Sequence, residues 1–370
     1  MTTDLNTQSS LSMKGKGYYS AKTAGAKNAI DKTQQLILES LKHLPKADIL
    51  RIADFGSADG GTSQEMWFNI IDNIRRSGDN RQIEILFTDL ASNDFSVLFR
   101  TMQGMQGDKK FAFQKRFSDI FVHGSGTGFH EQLMSKNSLS LGFSATAMHY
   151  VSERPCLIEN HVHMTGASKS EKKLFTDQAN KDWEIILLNR SKELIKGGRF
   201  VCINFGIDEQ GRCLGNTGGH IMFNNFSKNW KYLEDQGIIT NQEYINATFT
   251  QHYRTVEEFR APFDNKDSAI SKSGLVLKSC ETMITECPYK IHYLNNKSTM
   301  SSHEYAKTLI PTMRSWSETV FRNALVDRTE KEINEIVNKF YNLYIDEVSN
   351  DPEGHAMDYV HVIMDIEKAI

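Results

Sequence analysis

The sequence contains 370 residues, enough for one large domain or a core with a lid, and enough to bury a sizeable hydrophobic core. Its 43 Lys and Arg residues nearly balance 46 Asp and Glu residues. The resulting net charge of −3 excludes the basic surface that nucleic acids and anionic membranes attract. With 24% charged residues, 10% aromatic residues and only 6 prolines, the composition also excludes a disordered, collagenous or coiled-coil chain.

The cysteines and the N-terminus indicate the compartment. The five cysteines are scattered without a C-x-x-C pair, which favours reduced thiols over a disulfide framework and predicts no metal site. The polar N-terminus, MTTDLNTQSSLS, lacks the pattern of a secretory signal, and no run of about 18 apolar residues occurs. We therefore expect a cytoplasmic protein with no membrane partner.

Strands and helices alternate through the first half of the chain. Apolar residues at helical spacing, such as Ile30, Ile37 and Leu41, predict a helix over 29–44. A short apolar strand over 49–56 is followed by a glycine turn, a Thr/Ser helix cap and an amphipathic helix around 66–74. Further strands are predicted over 82–90, 138–144 and 198–206, with a helix over 175–195. This alternation predicts the α/β class, with a mostly parallel sheet covered by helices on both faces.

The pattern changes after about residue 207. Helical segments near 223–233 and 241–249 precede a strand over 274–284, a long helical stretch over 305–344 and a closing strand over 358–366. We therefore divide the chain into a core (1–206), a mostly helical cap insertion (207–273) and a return to the sheet (274–370) with cap helices at about 305–345.

A glycine loop, DFGSADGG at 54–61, lies between the first predicted strand and its helix. Glycines there let backbone N–H groups approach a ligand, but the loop lacks both G-x-G-x-x-G and G-K-[ST]. These absences favour a nucleoside without phosphates, and Asp89, at the end of the second strand, could accept hydrogen bonds from a ribose. S-adenosylmethionine (SAM) fits this description. The alternative is that Asp54 and Asp89 are ordinary strand-end residues and that the glycines only make a turn.

Five segments together resemble the SABATH family of SAM-dependent methyltransferases, in the same order and at similar spacing. They are MKGKGYYS (13–20), IADFGSADGGTS (52–63), FTDLASNDF (87–95), SATAMHYVSERP (144–155) and FTDQANKDWEIILLNRSKELIKGGRF (175–200). The resemblance implies a Rossmann-like sheet with an α-helical cap, SAM as cofactor, and methylation of the carboxyl group of a small acid. A branch of the family methylates purine nitrogens, so N-methylation of a heterocycle or amine stays open, as does a non-catalytic SAM-binding protein. The family is often dimeric, which leaves a homodimer open beside the small-molecule acceptor.

The resemblance also implies cofactor-binding residues. Thr23 stands where a Ser contacts SAM, Asp54 and Gly56 lie under the methionine part, and Phe129 stands where an aromatic ring stacks on adenine. The full set implied is Tyr19, Thr23, Asp54, Gly56, Asp89, Leu90, Gly128, Phe129 and Ser144.

For the methyl acceptor, the resemblance implies a pocket built from separate stretches of the chain. Its residues are Tyr19, Ala26, Thr146, His149, Tyr150, Met222, Phe223, Met313, Trp316 and Tyr359. Taken singly, each is more typical of a protein core. Plant carboxyl methyltransferases hold the carboxylate with a Gln and a Trp, and Ala26 and Tyr150 stand at those places. We therefore expect the Tyr150 hydroxyl to donate to the carboxylate, with a charge-assisted bond from His149 or Lys27. No catalytic base is needed, because a carboxylic acid is ionised at neutral pH.

Overall fold

Eight strands and fourteen helices alternate along the described residues, 18–216 and 219–369 of a computed structural model, in which the side chain of Tyr19 is not described. The strands are β1 (Ile49–Phe55), β2 (Gln82–Thr88), β3 (Ile120–Ser125), β4 (Leu139–Ala145), β5 (Leu194–Ile207), β6 (Arg254–Thr255), β7 (Leu275–Thr285) and β8 (Tyr359–Lys368). The helices of the first half are α1 (Tyr18–Lys22), α2 (Ala24–Lys32), α3 (Gln34–Lys42), α4 (Gln64–Arg76), α5 (Phe95–Met102), α6 (Phe113–Arg116) and α7 (Lys169–Glu193). Those of the second half are α8 (Met222–Asp235), α9 (Asn241–Asn246), α10 (Val256–Asp264), α11 (Ala269–Lys272), α12 (Pro288–Asn295), α13 (Ser302–Ala324) and α14 (Glu330–Asn350).

The strands form one sheet in the order β3-β2-β1-β4-β5-β8-β7, with β6 paired to β5. Strands β1 to β5 pair in parallel, and β8 runs antiparallel between β5 and β7. The predicted α/β class with a mostly parallel sheet is therefore confirmed. The order reverses between β1 and β4, and in open α/β sheets ligands bind beyond the carboxyl ends of the strands at such a point.

Helices cover both faces of the sheet. On one face, Trp67 of α4 meets Phe143 edge to face at 5.5 Å between ring centroids, and on the other Trp183 of α7 meets Phe259 at 5.4 Å. A third apolar cluster joins α8, α13 and α14, where the Phe321 and Phe340 rings lie 4.2 Å apart. Among the helices described, none is long and apolar enough to cross a membrane.

Several boundaries differ from the sequence prediction; for example, β5 begins at residue 194 rather than 198, and the helical stretch predicted over 305–344 is divided into α13 and α14. The helix predicted over 29–44 is two helices, α2 and α3, that meet at Thr33, whose hydroxyl donates to the Ile30 carbonyl at 2.6 Å. Strand β3 was not predicted, because it lies at the edge of the sheet and its partly exposed sequence, IFVHGS, shows little apolar patterning. In the stretch 207–273 the structure places α8 to α11 and β6, and the division into domains stays a prediction.

A buried ion pair at the end of α7 holds the loop that follows β3. The side chains of Arg190 and Glu193 have no exposed surface, and Nε of Arg190 donates to Oε2 of Glu193 at 2.6 Å. The guanidinium also donates to the carbonyls of Phe129 and Glu131, each at 2.8 Å, while Glu193 accepts the Leu133 N–H at 2.5 Å. The pair therefore fixes the backbone from Phe129 to Leu133.

Removing one partner of this pair should destabilise the protein strongly. We expect Glu193→Ala to lower the free energy of unfolding by about 3–5 kcal/mol, because it leaves the Arg190 charge buried and unpaired. Asp177→Ala provides the control, since Asp177 pairs with Lys173 on the same helix with side chains 57% and 73% exposed, and its loss should cost about 0.3–0.5 kcal/mol. Urea unfolding of both variants measures the difference between their free energies of unfolding. Equal stabilities would contradict the role of the buried pair.

Candidate functional site

The glycine loop after β1 lies at the point where the strand order of the sheet reverses. Gly56 has φ +78°, and its N–H donates to the Thr88 carbonyl at 2.9 Å, which joins the carboxyl ends of β1 and β2. A Cβ on Gly56 would lie 2.4 Å from the Cβ of Ala147, a separation that no side chain tolerates. Glycine is therefore required here for both its backbone angle and its close approach to the segment after β4.

The carboxylate of Asp54 is buried at the end of β1. Its Oδ2 accepts hydrogen bonds from the Trp67 indole at 2.8 Å and from the Ser63 hydroxyl at 2.9 Å. Burial raises the pKa of Asp54 to about 6, although these two donors act in the opposite direction. Ser63 occupies the N-cap position of α4, as the sequence predicts, but its hydroxyl makes no cap bond because it donates to Asp54.

Asp89 follows β2 and holds the glycine loop from the other side. Its Oδ2 accepts the Ala58 N–H at 2.7 Å, and its Oδ1 accepts the Leu90 N–H at 2.8 Å. Burial raises the pKa of this carboxyl, and the two backbone donors oppose the shift. Each carboxylate oxygen can accept a second hydrogen bond, so Asp89 is able to receive the two hydroxyls of a diol.

A cavity of about 850 Å³ lies over these residues. It brings together six of the expected cofactor-binding residues: Asp54, Gly56, Asp89, Leu90, Gly128 and Phe129. Two others are buried outside it. Thr23 precedes α2, and the Ser144 hydroxyl donates to the Phe55 carbonyl between strands at 2.9 Å. The Tyr19 side chain lies outside the described residues.

A second, smaller cavity of about 350 Å³ meets the first at Thr146 and Tyr150, which line both. Its lining is mainly aromatic and apolar, with a few neutral polar groups: Thr146, His149, Tyr150, Phe205, Leu214, Gln251, Trp316, Met357 and Tyr359. Thr146 has φ +57°, which is unusual for a β-branched residue. Its N–H donates to the Ile203 carbonyl at 2.8 Å and its hydroxyl lies 3.2 Å from Nε2 of His361, so both its backbone and side chain are held.

Five of the expected acceptor residues line this second cavity: Thr146, His149, Tyr150, Trp316 and Tyr359. Ala26 lines the larger cavity. The remaining described ones are buried in the cap core and line neither of the two: Met222, Phe223 and Met313.

The structure overturns the expected charged contacts. Burial lowers the pKa of His149 to about 3, so its imidazole is neutral. The Lys27 ammonium lies 2.6 Å from Asp31 and 2.7 Å from Glu65, and the residue lines neither cavity. An acceptor carboxylate in the second cavity would therefore be held by neutral donors.

Sequence reasoning missed four residues of the second cavity, namely Phe205, Leu214, Gln251 and Met357. Phe205 belongs to a predicted strand, but an apolar strand residue gives no sign that it faces a ligand. The other three lie outside the helices and named strands, far apart in sequence, and no local pattern marks them. Their convergence results from tertiary packing of segments that are distant in sequence.

A cluster of His220, Asp351 and His355, away from both cavities, has the residue types of a metal site, with ligand atoms within 4.8 Å of one another. Nε2 of His220 is already hydrogen-bonded to Asp351 at 2.9 Å, and its ring stacks on His355 at 4.5 Å. These contacts explain the arrangement without an ion.

Comparison with known proteins agrees with this geometry. A model of the "SAM dependent carboxyl methyltransferase" family matches residues 8–369. Loganic acid O-methyltransferase of Catharanthus roseus is 24% identical over 271 residues, covering 67% of this chain and 70% of that protein. Methyltransferase FUS9 of Gibberella moniliformis is 25% identical over 319 residues, covering 85% and 83%. Salicylate/benzoate carboxyl methyltransferase of Arabidopsis thaliana is 27% identical over 205 residues, covering 52% and 53%.

A solved structure of loganic acid methyltransferase with SAH (S-adenosylhomocysteine) superposes with a TM-score of 0.74 at 18% identity, covering 96% of this chain and 98% of that chain. The sheet and its helices therefore have the Rossmann-like methyltransferase fold that the sequence predicts.

The close approach at Gly56 can be tested by substitution. We expect Gly56→Ala to lower the free energy of unfolding by about 1–2 kcal/mol from the left-handed backbone alone, with a further loss from overlap with Ala147. Ala147→Gly in the same chain should recover only the overlap, because it leaves the backbone angle unchanged. Urea unfolding of both single variants and the double variant gives the coupling, and purely additive losses would refute the contact.

Proposed function

Because the chain belongs to the family of SAM-dependent carboxyl methyltransferases, we propose that it transfers a methyl group to the carboxylate of a small organic acid. The observation that carries the proposal is the second cavity, which is small, mainly aromatic and joined to the larger one at Thr146 and Tyr150. Its mainly aromatic and apolar lining suits a small molecule with an apolar body. One relative is named a salicylate/benzoate carboxyl methyltransferase, and both of these acids are small and aromatic.

The residues of the larger cavity suit SAM. A carboxylate at Asp54 can bind the ammonium of the methionine part, Asp89 can accept both ribose hydroxyls, and the Phe129 ring offers an apolar surface to adenine. When bound, SAM supplies a methyl group activated by the positive charge on sulfur.

The contribution of the chain's own residues is orientation and exclusion of water. An acid with a pKa near 4 is already ionised at neutral pH, so no residue has to remove a proton, and the neutral His149 is consistent with that. Burial raises the pKa of Tyr150, which keeps its hydroxyl protonated and able to donate to the acceptor. Holding two reactants in line can contribute about 7–11 kcal/mol toward the barrier. The rings of Trp316 and Tyr359 enclose the site.

The product tests the proposal. We expect purified protein to transfer labelled methyl from SAM to at least one small carboxylic acid in a panel of acids, phenols and nitrogen heterocycles. Mild alkali should then release the label, because it hydrolyses a methyl ester but leaves an N-methyl or phenol-ether product intact. A label stable to alkali would replace this proposal with N-methylation or phenol methylation, and the same panel identifies the acceptor.

The pKa of Asp54 predicts how cofactor affinity depends on pH. Because the ionised carboxylate binds an ammonium and the pKa lies at about 6, SAH affinity should be near its maximum at pH 7.5 and about tenfold lower at pH 5. Calorimetry across this range measures the dissociation constant. Asp54→Asn should bind SAH more weakly but with a nearly flat pH profile, whereas a profile parallel to that of the wild type would assign the titration to another group.

A further inference from the structure

The acceptor cavity needs more donors than the sequence identified. Ala26 has no polar side chain, Lys27 is paired elsewhere and His149 is neutral, which leaves Tyr150 as the expected donor. A carboxylate carries two oxygens with about four acceptor positions, and burying it with one partner is costly. A second donor should therefore lie near Tyr150.

Gln251 occupies that position. Gln251 lines the second cavity and is only 2% exposed. Its backbone forms an antiparallel bridge with Tyr150. A hydrogen bond flanks this bridge on each side: the His252 N–H donates to the His149 carbonyl at 2.8 Å, and the Val151 N–H donates to the Thr250 carbonyl at 3.2 Å. The Gln251 side chain is thus held next to the expected carboxylate donor.

The amide of Gln251 has a defined orientation. The Tyr253 hydroxyl donates to Oε1 at 3.2 Å, so the amide nitrogen forms the opposite end of the group. Gln251 also lowers the pKa of Tyr150 against the larger effect of burial, which is the effect of an N–H donor facing the phenol oxygen. Tyr150 lines the same cavity as Gln251, and its hydroxyl can donate a hydrogen there.

We propose that Gln251 supplies an amide donor to the acceptor carboxylate, and that Tyr253 fixes the orientation of that amide. In this arrangement an N–H of Gln251 and the Tyr150 hydroxyl both donate to the same anion, and the backbone bridge between the two residues keeps the donors side by side. The amide missing at position 26 is thus replaced from a distant segment of the chain. This inference rests on the proposed function, since it assumes that the acceptor is an acid.

Gln251→Met tests the amide while keeping a side chain of similar length. We expect the dissociation constant of benzoate or salicylate for the protein–SAH complex, and the KM for whichever acid is methylated, to rise about ten- to a hundredfold. The affinity for SAH should be unchanged, as should that for methyl benzoate, the neutral ester of the same shape. Gln178→Met is the matched control, because Gln178 bonds Ser152 and Asp182 away from the two cavities.

The role of Tyr253 is tested by coupling. Tyr253→Phe removes the hydroxyl that orients the amide, and we expect it to raise the acid KM several-fold in the wild-type background and not at all in Gln251→Met. A purely structural role of Tyr253 would give additive losses.

Three results would overturn the inference, and they are distinguishable. Unchanged acid binding in Gln251→Met would show that the amide does not contact the carboxylate. Equal losses for benzoate and methyl benzoate would show that the glutamine only packs against the acceptor. A wild-type protein that binds SAH but binds and methylates no acid would remove the proposed function itself, and the inference with it.

Discussion

The buried carboxylate of Asp54 is the constraint on which the site depends. A carboxylate removed from water must be hydrogen-bonded, and here the donors come from Trp67 and Ser63 at the start of α4. The strand end, the glycine loop and the first turn of the helix are therefore fixed relative to one another. Because both bonds go to Oδ2, the same group that joins strand to helix keeps a second oxygen for a cationic ligand. In the proposed function, structure and recognition share one side chain, and its pKa is raised because it is buried.

The chemistry of the second cavity follows from burial rather than from charge. Enclosure keeps His149 neutral and Tyr150 protonated, so the cavity holds hydrogen-bond donors and acceptors that do not titrate near neutral pH. Such groups can orient an anion without tying up the nucleophilic oxygen in an ion pair with Lys or Arg. Thr146, at the junction of the cavities, is likewise held by neutral hydrogen bonds. Its two bonds stabilise a backbone conformation that a free chain would avoid.

Local patterns predicted the core of the fold and several residues that line the larger cavity. The apolar run before Gly56 and the acidic residue after β2 lie within short segments, so spacing alone placed Asp54, Gly56 and Asp89 at neighbouring strand ends. The lining of the smaller cavity was predicted less completely, because Leu214, Gln251 and Met357 come from loops that carry no periodic signal. The contacts of Lys27 and the neutrality of His149 depend on which groups become neighbours or lose water on folding, and sequence alone specifies neither.

The two cavities draw on different lengths of the chain. The lining of the larger cavity comes entirely from residues 26–150. Nine residues line the smaller cavity, and seven of them do not line the larger one. Of these seven, all except His149 come from residues 205–359. Mutations in the later part of the gene can therefore reshape the smaller cavity while the lining of the larger one stays intact. Such a separation lets gene duplicates diverge in the molecules they modify without losing the donor that they share, and directed evolution could exploit the same freedom by randomising only the later segment.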